Sequence, residues 1–148
     1  MEAGRRTPFV EAGNSCYNYL QEGRERLMKR LLLFRFYKDP VISKNRLELL
    51  KAFNPGIDIL GLYTGEEGDF PNITKALSQH LAHVYCISGK SAEWKWKHGD
   101  LATRLWYKDY GHHLGFDMLH IVEWDLLLFS SISQLTDIFP RMGLASQA

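Results

Sequence analysis

The sequence predicts an α/β fold built on a doubly wound, mostly parallel sheet, and three observations predict it. Apolar runs of strand length recur along the chain, led by Leu31–Tyr37, with hardly a polar residue among them. Strands covered by helices on both faces have this composition, because neither face meets water. Stretches of helical periodicity separate the runs, and the connections between them are short. Parallel neighbours need crossovers of this size.

The elements follow in order. Leu31–Tyr37 is the first strand, and Asp39-Pro40 ends it because proline cannot continue a hydrogen-bonded ladder. Leu47, Leu50 and Phe53 then recur on one side of a helix, with Lys44, Arg46, Glu48 and Lys51 elsewhere. Asn54-Pro55-Gly56 stops that helix. Ile57–Tyr63 is the second strand, closed by the polar loop Thr64-Gly65-Glu66-Glu67-Gly68. Ile73, Leu77 and Leu81 give Pro71–Leu81 a helical face, and Val84–Ile87 is a short, β-rich third strand. Asp100 reads as the N-cap of a helix whose apolar face is Leu101, Leu105 and Trp106, with Gly111 placed to close it. Met118–Val122 is the fourth strand and runs straight into Glu123-Trp124-Asp125. The order is β-α-β-α-β-α-β, the pattern of a Rossmann-like sheet.

Bulk properties bound what such a domain does. At 148 residues and 45% apolar, the chain forms one domain whose core needs no disulfide or structural metal. Eighteen basic residues against seventeen acidic ones leave a net charge of +1, which argues against a nucleic-acid partner. Cys16 and Cys86 are far apart and lack any metal-binding spacing, so both are expected as free thiols in a reducing, cytoplasmic setting. No segment has the roughly 18 consecutive apolar residues of a membrane span. Residues 1–25 read as a flexible extension, 26–140 as the α/β domain and 141–148 as a tail.

In open parallel sheets, ligands bind outside the carboxyl ends of the strands, where strand order reverses. The residues there are Lys38 and Asp39, Thr64 to Glu66, Ser88 to Lys90, and Glu123 with Asp125. Ser88-Gly89-Lys90-Ser91 imitates the end of a phosphate-cradling loop, but the full motif needs glycine where Val84 stands. It reads as an ordinary loop, with the next helix expected only at Asp100. His80 with His83, and His112 with His113, lack companion ligands and do not read as a zinc site. Trp94, Trp96 and Trp106 read as core or rim packing.

Glu123 and Asp125 are the most informative pair. If the chain stays extended, both carboxylates point to one side and Trp124 to the other. Like charges so placed repel unless a cation or proton intervenes, and a divalent metal carrying phosphate oxygens is one solution. A solvated strand end with a capping aspartate is the plainer alternative.

The segment from Trp94 through Asp100, Trp106-Tyr107, Phe116-Asp117 and the run His120–Leu128 resembles the nucleotide-sugar-binding half of GT-A glycosyltransferases. The resemblance runs from about Leu31 to Phe129. It implies that Asp125, with Glu123, holds Mn²⁺ or Mg²⁺ on the diphosphate of a nucleotide-sugar. It implies that Phe36, Tyr37 and Asp39 lie at the nucleotide base and ribose, and that Asp100 stands near the nucleotide. Metal-held phosphates would offset the charge of the departing diphosphate. Here the motif is Glu-Trp-Asp rather than Asp-x-Asp, and 23 residues follow Asp125. The acceptor-binding half of the family lies in a longer downstream stretch, so the domain is expected to be incomplete at its C-terminus. The acceptor is unassigned, and a homo-oligomer or partner chain would cover the apolar surface left open. The alternative is a non-catalytic nucleotide-binding or protein-interaction module.

Overall fold

Leu31, Leu32, Leu33, Phe34 and Phe36 are almost wholly buried, as the two-sided covering of a central strand requires. In the computed structural model, which describes residues 28–136, they belong to β1 (Arg30–Phe36). β1 pairs in parallel with β2 (Ile59–Tyr63) on one side and with β4 (Met118–Glu123) on the other. β3 (His83–Cys86) pairs in parallel with β2, giving the order β3-β2-β1-β4. The fold is therefore α/β with a four-stranded, all-parallel, Rossmann-like sheet.

The pleat of β1 divides the core. Leu32, Phe34 and Phe36 face α1 (Pro40–Phe53) and α2 (Phe70–Leu77), meeting Leu47, Leu50, Ile73 and Leu77. Leu31 and Leu33 face the other way, with Leu60 and Leu62, onto Ala102 and Trp106 of α4 (Gly99–Asp109). Helices thus cover both faces. The chain steps from β1 to β2 to β3 and then crosses back to β4 beyond β1. Strand order reverses between β1 and β4, and their carboxyl ends frame the crevice of the sheet.

Local signals explain the element ends. Asp39 has φ 49° and accepts hydrogen bonds from the Val41 and Ile42 amides at 3.1 Å each, capping α1 ahead of Pro40 at its first position. Asn54 ends α1 and is buried, its amide donating to the Leu50 carbonyl at 2.9 Å. Its side-chain Oδ1 accepts from the Ile132 amide at 2.8 Å, which anchors α5 (Ile132–Thr136) against the same face.

Two expectations change. Asp100 does not cap α4: His98 stands at the cap position and Asp100 in the first turn, where its charge suits the positive end of the helix. An additional helix, α3 (Ala92–Lys97), precedes α4, with the Ser91 hydroxyl accepting from the Trp94 amide at 3.2 Å. The extension at 1–25, the tail at 141–148 and Cys16 lie outside the described residues.

Candidate functional site

The carboxyl ends of β1 and β4 hold a cleft of about 240 Å³. Arg35, Tyr37, Thr64, Lys95, Trp96, Glu123, Trp124 and Asp125 line it. Arg35 and Glu123 are cross-strand partners in the β1–β4 register and form an ion pair. Arg35 lies closely over α4, where a Cβ on Gly99 would collide with its guanidinium. Glycine at that helix start is what lets the guanidinium approach the backbone.

Lys95 comes from α3 and is 1% exposed. Its ammonium donates to the Gly65 carbonyl at 3.0 Å, the one hydrogen bond it makes among the described residues. Gly65 follows β2 at a point where a Cβ would strike the Tyr37 carbonyl and the Tyr63 hydroxyl. The Thr64 amide and hydroxyl both reach the Phe36 carbonyl, at 2.8 and 3.2 Å, and so tie the ends of β1 and β2 together. The buried lysine is thereby held on a tightly packed loop.

The two acids differ. After the Trp124 amide bonds to the Arg35 carbonyl at 3.0 Å, the chain turns, with the Leu126 amide on the Glu123 carbonyl. Glu123 and Asp125 still share the cleft, although the backbone is not extended between them. Burial pushes the Glu123 carboxyl above the usual carboxylate range, against the opposing pull of Arg35, and the Asp125 charge adds to the rise. Asp125 is exposed and makes no hydrogen bond or ion pair among the described residues. Trp124 turns toward the α1 face of the core and meets Tyr37 edge-on, with ring centroids 5.3 Å apart.

This donor set does not fit a metal bridged by two carboxylates, because Arg35 already supplies the cation that Glu123 needs. Among the described residues no group of three or more histidine, cysteine, aspartate or glutamate side chains is assembled. His80, His83, His112 and His113 form no such group either; His83 stacks on Tyr110 and His112 meets His113 ring to ring.

Of the residues expected at a nucleotide, Tyr37 lines the cleft. The Phe36 ring does not: it is wholly buried on the opposite face, against Phe34 and Tyr63. The Asp39 carboxylate is engaged as the cap of α1, and Asp100 is exposed on α4 outside the cleft lining. Arg35 and Lys95 are cleft residues to which the sequence assigns no role, and Trp96, expected as packing, lines the cleft as well. Trp96 is 69% exposed, so it packs in neither core nor rim as expected. The Ser88–Ser91 loop is closed by the protein itself: the Gly89 amide donates to the Glu67 carboxylate at 2.7 Å, where a phosphate loop would offer that amide to its ligand. The chain matches no family model and no curated protein.

Proposed function

We propose that the cleft binds the diphosphate of a nucleotide-sugar and that the protein is glycosyltransferase-like, directing the sugar toward an acceptor still to be identified. The observation that carries the reading is the cleft's composition at the point of strand reversal: two cationic side chains beside three exposed or half-buried aromatic rings, Tyr37, Trp96 and Trp124. Tyr37 and Trp96 offer flat surfaces to a base or sugar, and Arg35 and Lys95 offer charge to phosphates. Sugar transfer breaks the bond between the anomeric carbon and a phosphate oxygen, leaving negative charge on the diphosphate. Fixed cations at that oxygen lower the barrier most, since they need no rearrangement as the charge develops.

Calorimetric titration with UDP and GDP, each with and without Mn²⁺, tests the reading. Saturable binding of either nucleotide is the expected result. Absence of binding at millimolar ligand overturns it.

A second reading, a protein-interaction module, is favoured by a different surface. Among the described residues β4 forms one edge of the sheet, and Ile121 on it is 47% exposed. Beside it an apolar groove of about 950 Å³ runs between α4 and β4, lined by Leu101, Leu105, Phe116 and Leu119. Open strand edges and apolar patches of this kind commonly pair with another chain. Self-association on sizing supports this reading, and a monodisperse monomer counts against it. Among the described residues no helix is long and apolar enough to cross a membrane.

A further inference from the structure

The four charged side chains of the cleft, Arg35, Lys95, Glu123 and Asp125, cancel in formal charge, so what a bound diphosphate would meet depends on which of them are already paired. Glu123 is spoken for by Arg35, so of the two acids only Asp125 stands unpaired among the described residues. On the other side stands Lys95, 1% exposed and lining the same cleft. An ammonium has three N–H donors, and the Gly65 carbonyl takes one. A buried ammonium with donors to spare is costly unless an anion or further acceptors complete its shell. At about 240 Å³ the cleft lies below the roughly 300–1,000 Å³ of sites that enclose whole drug-sized ligands. It has room for the charged middle of a nucleotide-sugar, with the rest of that molecule lying across Trp96 and Tyr37 at its walls.

We infer that this cleft is a metal-independent diphosphate site, in which Lys95 and Arg35 take the place of a divalent cation. The inference deepens the nucleotide-sugar reading and rests on it for the identity of the ligand, though not for the anion chemistry. Lys95 supplies the unspent charge. Arg35, held by Glu123 across the strand register, turns its remaining guanidinium donors to the same anion. Asp125 is then a repulsive neighbour of the phosphates rather than a ligand of their metal.

The two arrangements predict different outcomes for one substitution. Under metal binding, Asp125→Asn abolishes affinity. Under protein-cation binding it leaves affinity unchanged or raises it, because a negative charge beside the anion is removed. Lys95→Gln keeps a donor for the Gly65 carbonyl and deletes the charge, so it isolates the electrostatic role.

The test is calorimetric titration of the full chain with inorganic pyrophosphate, UDP and GDP, in EDTA and in Mn²⁺. Wild type, Lys95→Gln and Asp125→Asn are compared, with thermal melts to confirm folding. Wild type is expected to bind pyrophosphate and at least one nucleotide in EDTA. Lys95→Gln should weaken both by about tenfold or more, the worth of one charged hydrogen bond. Asp125→Asn should bind at least as well as wild type. Binding that needs Mn²⁺ and disappears in Asp125→Asn overturns the inference while leaving the donor reading intact. Equal binding by folded Lys95→Gln removes Lys95 from the site. Pyrophosphate binding in EDTA without nucleotide binding keeps the anion site and ends the nucleotide-sugar reading. Failure of all three ligands overturns both. Should Lys95→Gln not fold, the wild-type EDTA titration and the sign of the Asp125→Asn effect still decide.

Discussion

The carboxyl rim of the sheet has two halves that look alike in sequence and differ in what they leave unspent. Between β2 and β3, the Ser88–Ser91 loop carries glycine, lysine and hydroxyls in the manner of a phosphate loop. Its amide at Gly89 is taken by Glu67, and the Lys90 ammonium lies over the Trp94 ring, 4.9 Å from its centroid. Between β1 and β4, Lys95 and Asp125 line one cleft with charge to spare, and Arg35 stands there tied to a single acid. The lesson is that a ligand site is marked by hydrogen-bonding capacity the protein does not use itself, and much less by the residue types in a loop.

Gly65 stands at the junction of the two halves, and altering it offers the largest expected effect. In Gly65→Ala the new Cβ meets a backbone carbonyl at Tyr37 and the Tyr63 hydroxyl, neither of which is the loose end of a flexible chain. Overpacking of this kind costs about 1–3 kcal/mol, and the backbone clash places Gly65→Ala at the upper end. The Lys95 strap to the Gly65 carbonyl should loosen at the same time, so anion affinity in the cleft falls together with stability. Chemical denaturation measures the first loss; a change under about 0.5 kcal/mol, the scatter of ordinary surface substitutions, would show the junction to be slack.

Gly99→Ala sharpens the comparison by acting on the open half alone. The Cβ lands on the Arg35 guanidinium, which can swing away and so leave Glu123. Gly99 is the first residue of α4, where alanine gains less over glycine than the roughly 1 kcal/mol of a helix interior, and a partly exposed ion pair is worth about 1 kcal/mol or less. Net stability should therefore move by under about 1 kcal/mol, while pyrophosphate affinity drops severalfold. A variant that loses neither would show that Arg35 does not act on the cleft. On the closed half, Glu67→Ala removes an exposed hydrogen bond and should cost about 1 kcal/mol at most. Cleft binding should be untouched, and a fall in it would join the two halves that the comparison separates.

How much of this was legible in the sequence depends on whether apolar residues carried the signal. β1 is legible to within a residue at each end, because its continuous burial writes itself as continuous apolar sequence. β4 is legible to the same precision from Met118, Leu119, Ile121 and Val122, although only Val122 among its residues is buried. β2 was placed two residues early at its start, since Ile57 bonds back to Asn54 in the turn that ends α1. α3 was missed for a physical reason: the one buried position in Ala92–Lys97 is filled by Lys95, so the helix has no apolar stripe to read. The residue that hides the helix is one of the cleft's two cations. Glu123 and Asp125 were found in the same cleft by spacing, but the Arg35 partner was invisible, because it depends on β1 and β4 being neighbours in register. A sequence does not display which strands lie side by side.

The smallest expected effect concerns the pH response of that ion pair, and its sign is fixed by Glu123. Burial raises the carboxyl in the folded chain above its unfolded value near 4.5, Arg35 opposes the rise, and Asp125 adds to it. The folded state therefore binds the proton more tightly than the unfolded state does. Its stabilising contribution is complete below the unfolded value and is lost as pH rises through the folded one. Glu123→Gln cannot titrate, so its stability relative to wild type should improve steadily from below pH 4.5 upward until Glu123 is fully ionised. Urea denaturation of both proteins across that window checks the sign. A diphosphate in the cleft should alter the result further, because an anion beside Arg35 makes a second negative charge on Glu123 more costly. Pyrophosphate should then widen the gap between the two proteins at neutral pH, whereas a metal held by Glu123 would reverse it, rewarding the ionised carboxylate and favouring wild type.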